Sequence, residues 1–296
     1  MSDSELVTIR SGDLTARINP LGAELWSLVD GEGREFMTDG NPEFWGGHAP
    51  ILFPIVGGLN NGRYRLNGTE YELPRHGFAR HSEFEVLIAE EERVMFSLGA
   101  SDATRAVYPF EFKLNVNFRL IEKKLVIGAG VQNCGEVPMP FSIGFHPAFA
   151  WPLPGAGAKE DHKIVFSEDE PHRIRRLDPD TGLLLADRKH SPIKGNSFVP
   201  RPELFEADAL IWDKLNSRVV KFGPTNGPRI AIKSPALPML GIWQKPGADF
   251  LCIEPWQGIA DPVGFEGDFR EKPGVISVPA GQTRFFELHI AILDAG

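Results

Sequence analysis

No apolar stretch in this sequence runs far before a turn residue cuts it off, and that spacing constrains the fold more than any other feature. The 296 residues include 31 glycines and 25 prolines. Asn67-Gly68 joins two short runs, Arg63-Tyr64-Arg65-Leu66 and Glu70-Tyr71-Glu72-Leu73, and is the strongest hairpin signal in the chain. Ser11-Gly12-Asp13 does the same for the runs that begin at Leu6 and Leu14. The segment from Phe112 to Leu120 alternates apolar and polar residues almost without fault, as a strand with one buried face does. About twenty such runs follow one another at close spacing, the pattern of an all-β sandwich or barrel. Helical periodicity is scarce: Asp102–Tyr108 and Glu203–Asp208 allow one or two turns, so few short helices are expected. No repeat period and no linker divides the chain, so residues 1–296 read as a single domain. The polar, proline-rich stretches Pro152–Asp161 and Pro171–Pro202 read as long loops of the kind that border a binding cleft.

Charge and composition narrow the partners. The net charge is −9, which argues against nucleic acid or an anionic membrane, since both call for a basic surface. No apolar run is long enough to span a bilayer as a helix. Met1-Ser2-Asp3-Ser4-Glu5 lacks the basic segment and apolar core of a signal peptide. Cys134 and Cys252 are too few for a disulfide framework, and no histidines stand at ligand spacing beside them, so no metal is expected. A reducing cytoplasm is the simplest home.

Three polar clusters interrupt apolar sequence. Leu251-Cys252-Ile253-Glu254-Pro255-Trp256-Gln257-Gly258 reads as a strand that delivers Glu254 and stops at Pro255. Glu254 at a wet strand end needs no function; a carboxylate beside an aromatic ring and an amide also suits a sugar, which has hydroxyls at its rim and C–H groups on its faces. The second cluster is Phe141–Trp151 around His146, and the third is Leu73–Arg80 around His76 and Gly77. Each histidine is equally served by a structural hydrogen bond. His48, His81, His162, His172 and His190 lie in turn-like or polar segments and are expected at the surface. Asp261 and Glu266–Asp268 read as solvated acidic loops.

H-G-F-A-R at 76–80, G-F-H-P-A-F at 144–149, D-A-L-I-W at 208–212 and F-L-C-I-E-P-W-Q-G at 250–258 together resemble the aldose 1-epimerase (galactose mutarotase) family, and within it the bacterial LacX-like branch. The resemblance runs from about Leu6 to Ile292 and implies a β-supersandwich with a shallow sugar cleft. It implies Glu254 as general base and His146 as general acid. It further implies His76 as a second cleft histidine near the ring oxygen, Asp208 as a ligand for sugar hydroxyls, Arg80 as a substrate or supporting contact, and Trp243 and Trp256 as cleft walls. The Asn-Arg pair that holds the sugar in galactose mutarotase has no clear counterpart here; Asn60-Asn61-Gly62-Arg63 occupies roughly that region.

Those residue types match the chemistry. Interconverting anomers needs a proton taken from O1 and one given to the ring oxygen, which a carboxylate and an imidazolium supply without cofactor or metal. The expected partner is a small-molecule sugar, and the protein is expected as a monomer or homodimer. Two related readings use the same scaffold: a hexose-6-phosphate 1-epimerase, with Arg75, Arg80 and Lys245 available for the phosphate, and a non-catalytic sugar-binding protein. A glycosidase would pair Glu254 with a second carboxylate such as Asp208 or Asp261 at a defined separation.

Overall fold

The computed structural model describes residues 6–294. Its largest unit is an antiparallel sheet of nine strands. In spatial order these are Ser197–Phe198, His162–Phe166, Val219–Pro224, Arg229–Lys233, Thr283–Leu293, Lys124–Asn133, Phe112–Ile121, Arg93–Gly99 and Glu85–Ala89. The alternation read from the sequence sets its inner face. Phe112, Leu114, Val116, Phe118 and Leu120 are buried, while Lys113 and Arg119 are exposed on the other face. Across the core lies a second sheet with the order Leu210–Trp212, Met239–Trp243, Phe250–Gln257, Ile143–Phe145 and Ile51–Leu52, with Ala148–Ala150 also pairing onto Phe250–Gln257. Val7–Ser11, Leu14–Asn19 and Glu24–Val29 form a third, three-stranded sheet. Ring contacts from Phe53 to Phe112 and from Phe141 to Phe286 tie the layers together.

Both hairpins expected from turn chemistry form, with Ser11 opposite Leu14 and Leu66 opposite Thr69. The one α-helix among the described residues, Asp102–Val107, covers the expected segment. Its capping box explains the start: the Ser101 hydroxyl accepts from Thr104 N–H, and the Thr104 hydroxyl accepts from Ser101 N–H. No helix among the described residues is long and apolar enough to cross a membrane.

The strand Phe250–Gln257 runs down the middle of the second sheet, and its period of two sorts its side chains. Leu251 and Ile253 join the main core, whereas Phe250 and Cys252 fall in a separate cluster on the opposite face. Glu254 and Trp256 continue that second face. Pro255 therefore does not end the strand, contrary to the sequence expectation. Leu240 still pairs with it on one side. On the other side the partner changes, from Ala148–Ala150 opposite Phe250–Cys252 to Ile143–Gly144 opposite Trp256–Gln257. Ile253 N–H there bonds the Pro147 carbonyl at 3.2 Å. Pro255, two residues on, turns its nitrogen to the same edge, where the chain arches through His146 and the ladder calls for no donor. Glu254 thus sits in mid-strand at 1% exposure rather than at a wet end.

Other expectations also change. His48 and His162 are buried, not at the surface. His162 earns its place by hydrogen bonds, with Leu153 N–H donating to Nε2 at 3.0 Å and Nδ1 bonded to the Ala158 carbonyl at 2.9 Å. Asp261 is buried as well, in an ion pair with Lys272. Of the two long loops, the one from 171 to 202 reaches the cleft described next, through Leu177, and the one from 152 to 161 does not.

Candidate active site

All seven residues singled out as site residues, Glu254, His146, His76, Arg80, Asp208, Trp243 and Trp256, line one open cavity of about 220 Å³ on the outer face of the second sheet. Its floor is the Trp256 indole. A Cβ at Gly241 would stand 2.3 Å from that ring, and one at Gly144 would stand 2.5 Å from it. Glycines on both flanking strands are what let the indole lie flat across the sheet.

Glu254 rises beside it and meets His146, which the arch between Phe145 and Ala148 carries in from the neighbouring strand. His146 Nε2 lies 3.0 Å from Glu254 Oε2. His146 Nδ1 is buried and has no partner among the described residues.

His76 comes from the turn that follows Leu73. It holds φ at 68°, and Gly77 follows at 74°. Only glycine fits the second position, since a Cβ there would meet the Phe53 carbonyl oxygen at 2.2 Å. The strained backbone at His76 is held by two reciprocal bonds: His76 N–H donates to the Gly57 carbonyl at 2.9 Å, and Gly57 N–H donates to His76 Nδ1 at 3.1 Å. Nδ1 is therefore an acceptor, and the ring proton sits on Nε2. Burial, helped by the positive charges of His146, Arg75 and Arg80, pushes the His76 pKa well below the ordinary value, so the ring is a neutral donor. The two histidine rings stand at 88° with centroids 5.8 Å apart.

Arg80 lies deeper. Burial, then repulsion from Arg75, lowers its guanidinium pKa. Among the described residues its Nε has no partner, and neither has Trp256 Nε1. Buried polar atoms are rarely left unpaired, and the three residues that carry these, Arg80, His146 and Trp256, all line one cleft. Asp208 closes the far side at φ 64°, with its Oδ1 accepting from Ala209 N–H at 2.7 Å and its Oδ2 3.8 Å from Arg75 Nη2. Arg176 fixes that loop by donating to the carbonyls of Leu204, Asp208 and Ala209.

The sequence reading missed Trp45. Its ring packs 5.0 Å from His146 and edge-on to Trp243 at 5.8 Å. Gly47 is the available clue: a Cβ there would meet the Trp45 ring at 2.5 Å, so the W-G-G run folds the ring back on its own loop. Asn60 and Arg63 do not reach this cleft. They line a second cavity behind it, where Asn60 Nδ2 donates to the Pro262 carbonyl. Lys245 is exposed and does not line the cleft either.

Donor atoms of His146, Cys252 and Glu254 lie within 4.8 Å of one another. They are poorly suited to a metal, because His146 and Glu254 already face each other. Cys252 is sealed under Trp45, Trp243 and Phe250, and burial raises its thiol well above the ordinary value. The arrangement is an imidazole–carboxylate pair beside an indole floor, with His76 and Arg80 donors around it.

Known proteins are similar to this chain along nearly its whole length. The sequence profile of the aldose 1-epimerase family matches residues 5–277. The chromosomal LacX protein of Lactococcus lactis subsp. lactis is 33% identical over 97% of this chain and 99% of its own. The crystal structure of a galactose mutarotase related enzyme from Lactobacillus acidophilus superposes with a TM-score of 0.91 at 33% identity, covering 98% of each chain. A galactose mutarotase-like protein from Lactobacillus casei superposes with a TM-score of 0.90 at 28% identity, over 97% of this chain and 100% of that one. This chain belongs to the aldose 1-epimerase family.

Proposed function

We propose that the protein is an aldose 1-epimerase that interconverts the α and β anomers of a free hexose. The observation that carries this reading is the His146–Glu254 contact of 3.0 Å at the cleft. O1 and the ring oxygen of a pyranose are bonded to the same carbon, so an acid and a base that serve them must be neighbours. Glu254 takes the proton from O1 while protonated His146 gives one to the ring oxygen. The C1–O5 bond breaks to leave an aldehyde, C1 turns about the C1–C2 bond, and the ring closes on the other face with the proton roles reversed. His76 Nε2–H and the Arg80 guanidinium supply donors to the ring oxygen and hydroxyls, Asp208 accepts from hydroxyls, and Trp45, Trp243 and Trp256 meet the C–H faces.

Polarimetry on freshly dissolved α-D-glucose and α-D-galactose tests this directly. Wild type is expected to speed the approach to anomeric equilibrium, and Glu254→Gln to lower kcat about a thousandfold with KM little changed. A Glu254→Gln variant as fast as wild type would remove Glu254 from the mechanism. A second reading, a hexose-6-phosphate 1-epimerase, is favoured by one observation: Arg75, half exposed at the rim, joins Arg80 in lining the cleft. A kcat/KM for glucose 6-phosphate at least tenfold above that for glucose would select it.

A further inference from the structure

A second buried ion pair lies behind the cleft, and the mechanism above does not use it. Lys272 Nζ meets Asp261 Oδ1 at 2.7 Å, with the two side chains 1% and 3% exposed. Burying two charges is an expensive way to fill space, because an apolar pair of similar volume usually serves stability as well. What the pair does supply is directional bonding. Asp261 Oδ2 accepts from Asn60 N–H at 3.0 Å. The Asp261 backbone extends the grip: its N–H donates to the Gly58 carbonyl at 2.9 Å, and its carbonyl accepts from Leu184 N–H at 2.8 Å. One residue earlier, Ala260 packs so closely on Gly57 that a Cβ there would stand 2.5 Å from it. Gly57 is the residue whose N–H holds His76 Nδ1.

We propose that the Lys272–Asp261 pair positions His76: it clamps the 57–60 segment against 260–261, and so fixes the Gly57 amide that keeps the His76 proton on Nε2, facing the cleft. Both residues act through others and touch no substrate. The Asn60-Asn61-Gly62 turn, unremarkable in sequence, becomes a link in this chain. The catalytic consequence rests on the hydrogen-bonding role given to His76 above; the tautomer does not.

The test therefore reads the imidazole as well as the activity. In wild type, long-range 1H–15N correlation spectra of the histidine rings are expected to show His76 as a single neutral tautomer protonated at Nε2. The double variant Asp261→Asn, Lys272→Met removes both charges at once. It is expected to fold, to move the His76 nitrogen signals toward a mixture of tautomers, and to lower kcat/KM about tenfold. A folded variant with wild-type His76 signals overturns the proposal, whatever happens to its activity. Amide hydrogen exchange in wild type gives a test that needs no variant. Gly57 and Asn60 are expected to exchange within about tenfold of each other, as one clamped segment; Gly57 exchanging a hundredfold faster than Asn60 also overturns the clamp. If wild type fails to mutarotate any sugar, the function falls while the nitrogen signals still decide the positioning.

Discussion

Two carboxylate–nitrogen contacts in this protein look alike on paper. His146–Glu254 closes at 3.0 Å with side-chain exposures of 10% and 2%, and Lys272–Asp261 at 2.7 Å with 1% and 3%. They differ in what is left over. Asp261 spends both oxygens, one on Lys272 and one on the Asn60 amide. Among the described residues Glu254 has His146 as its side-chain partner, and His146 keeps Nδ1 free. The Lys272–Asp261 pair is fully spent and holds backbone; the His146–Glu254 pair lines the cleft with bonding capacity to spare. Distance and burial alone do not separate chemistry from architecture. Unspent donors and acceptors do.

Breaking each pair on one side exposes that difference most strongly. Lys272→Met strands a carboxylate that is only 3% exposed, which is expected to cost about 3–5 kcal/mol of stability. His146→Asn leaves Glu254 beside an open cleft, where water can take the vacated position. Stability is expected to stay within about 1 kcal/mol of wild type, while turnover falls a hundredfold or more. Urea unfolding midpoints and polarimetric rates on the same two proteins check both halves. Equal destabilisation by the two variants would erase the distinction drawn here.

The same contrast marks where sequence reading works and where it stops. Alternation from Phe112 to Leu120 and the Asn67-Gly68 turn are local signals, and the structure follows both. The residues around Glu254, His146, His76 and Asp208 were legible because each sits in a short run resembling a family pattern. Asp261 was not. Its partner lies 11 residues on, and two polar residues near acidic turns look solvated until a third element covers them. Pro255 misled for a related reason. A proline ends a strand only if its edge needs a donor, and that depends on where the neighbouring chain arches. Trp45 lies outside the runs that resemble the family, and its placement rests on rings from Trp243 and Phe250 that are remote in sequence.

Acid should sharpen the comparison at the next level of effect. His146 has a carboxylate to face, whereas among the described residues the His48 and His76 side chains have none within bonding distance. Burial lowers His48 from 6.5 to about 4, with Trp26 stacked on its ring at 3.8 Å. A lowered histidine pKa means the unfolded chain takes up the proton first. Stability is therefore intact above pH 6.5 and is lost as pH falls from there toward 4. His48 alone accounts for a loss on the order of 2–3 kcal/mol across that window, and His76 acts in the same direction. Glu24, whose carboxylate takes the His48 and Ala49 amides, is raised by burial and acts with the opposite sign, losing stability as pH rises above its ordinary 4.5. The clean measurement is a difference. Melting temperature against pH is expected to fall more steeply toward acid in wild type than in His48→Gln, and parallel curves would mean that His48 is not held neutral.

The smallest effect concerns the wall of the cleft rather than its charges. Trp45 stands 5.0 Å from the His146 ring and 5.8 Å from Trp243, so it either meets the sugar or steadies the acid. An aromatic contact of this kind contributes about 1 kcal/mol. If the ring meets sugar equally in the ground and transition states, Trp45→Ala raises KM about fivefold and leaves kcat within about twofold. If it steadies His146, the loss falls on kcat instead. The placement of Trp45 at the cavity lining favours the first outcome, and progress curves at several sugar concentrations separate the two. A fall in kcat with KM unchanged would show that the cleft pair, like the sealed one, depends on a neighbour to hold it in place, and that its freedom is narrower than its unpaired atoms suggest.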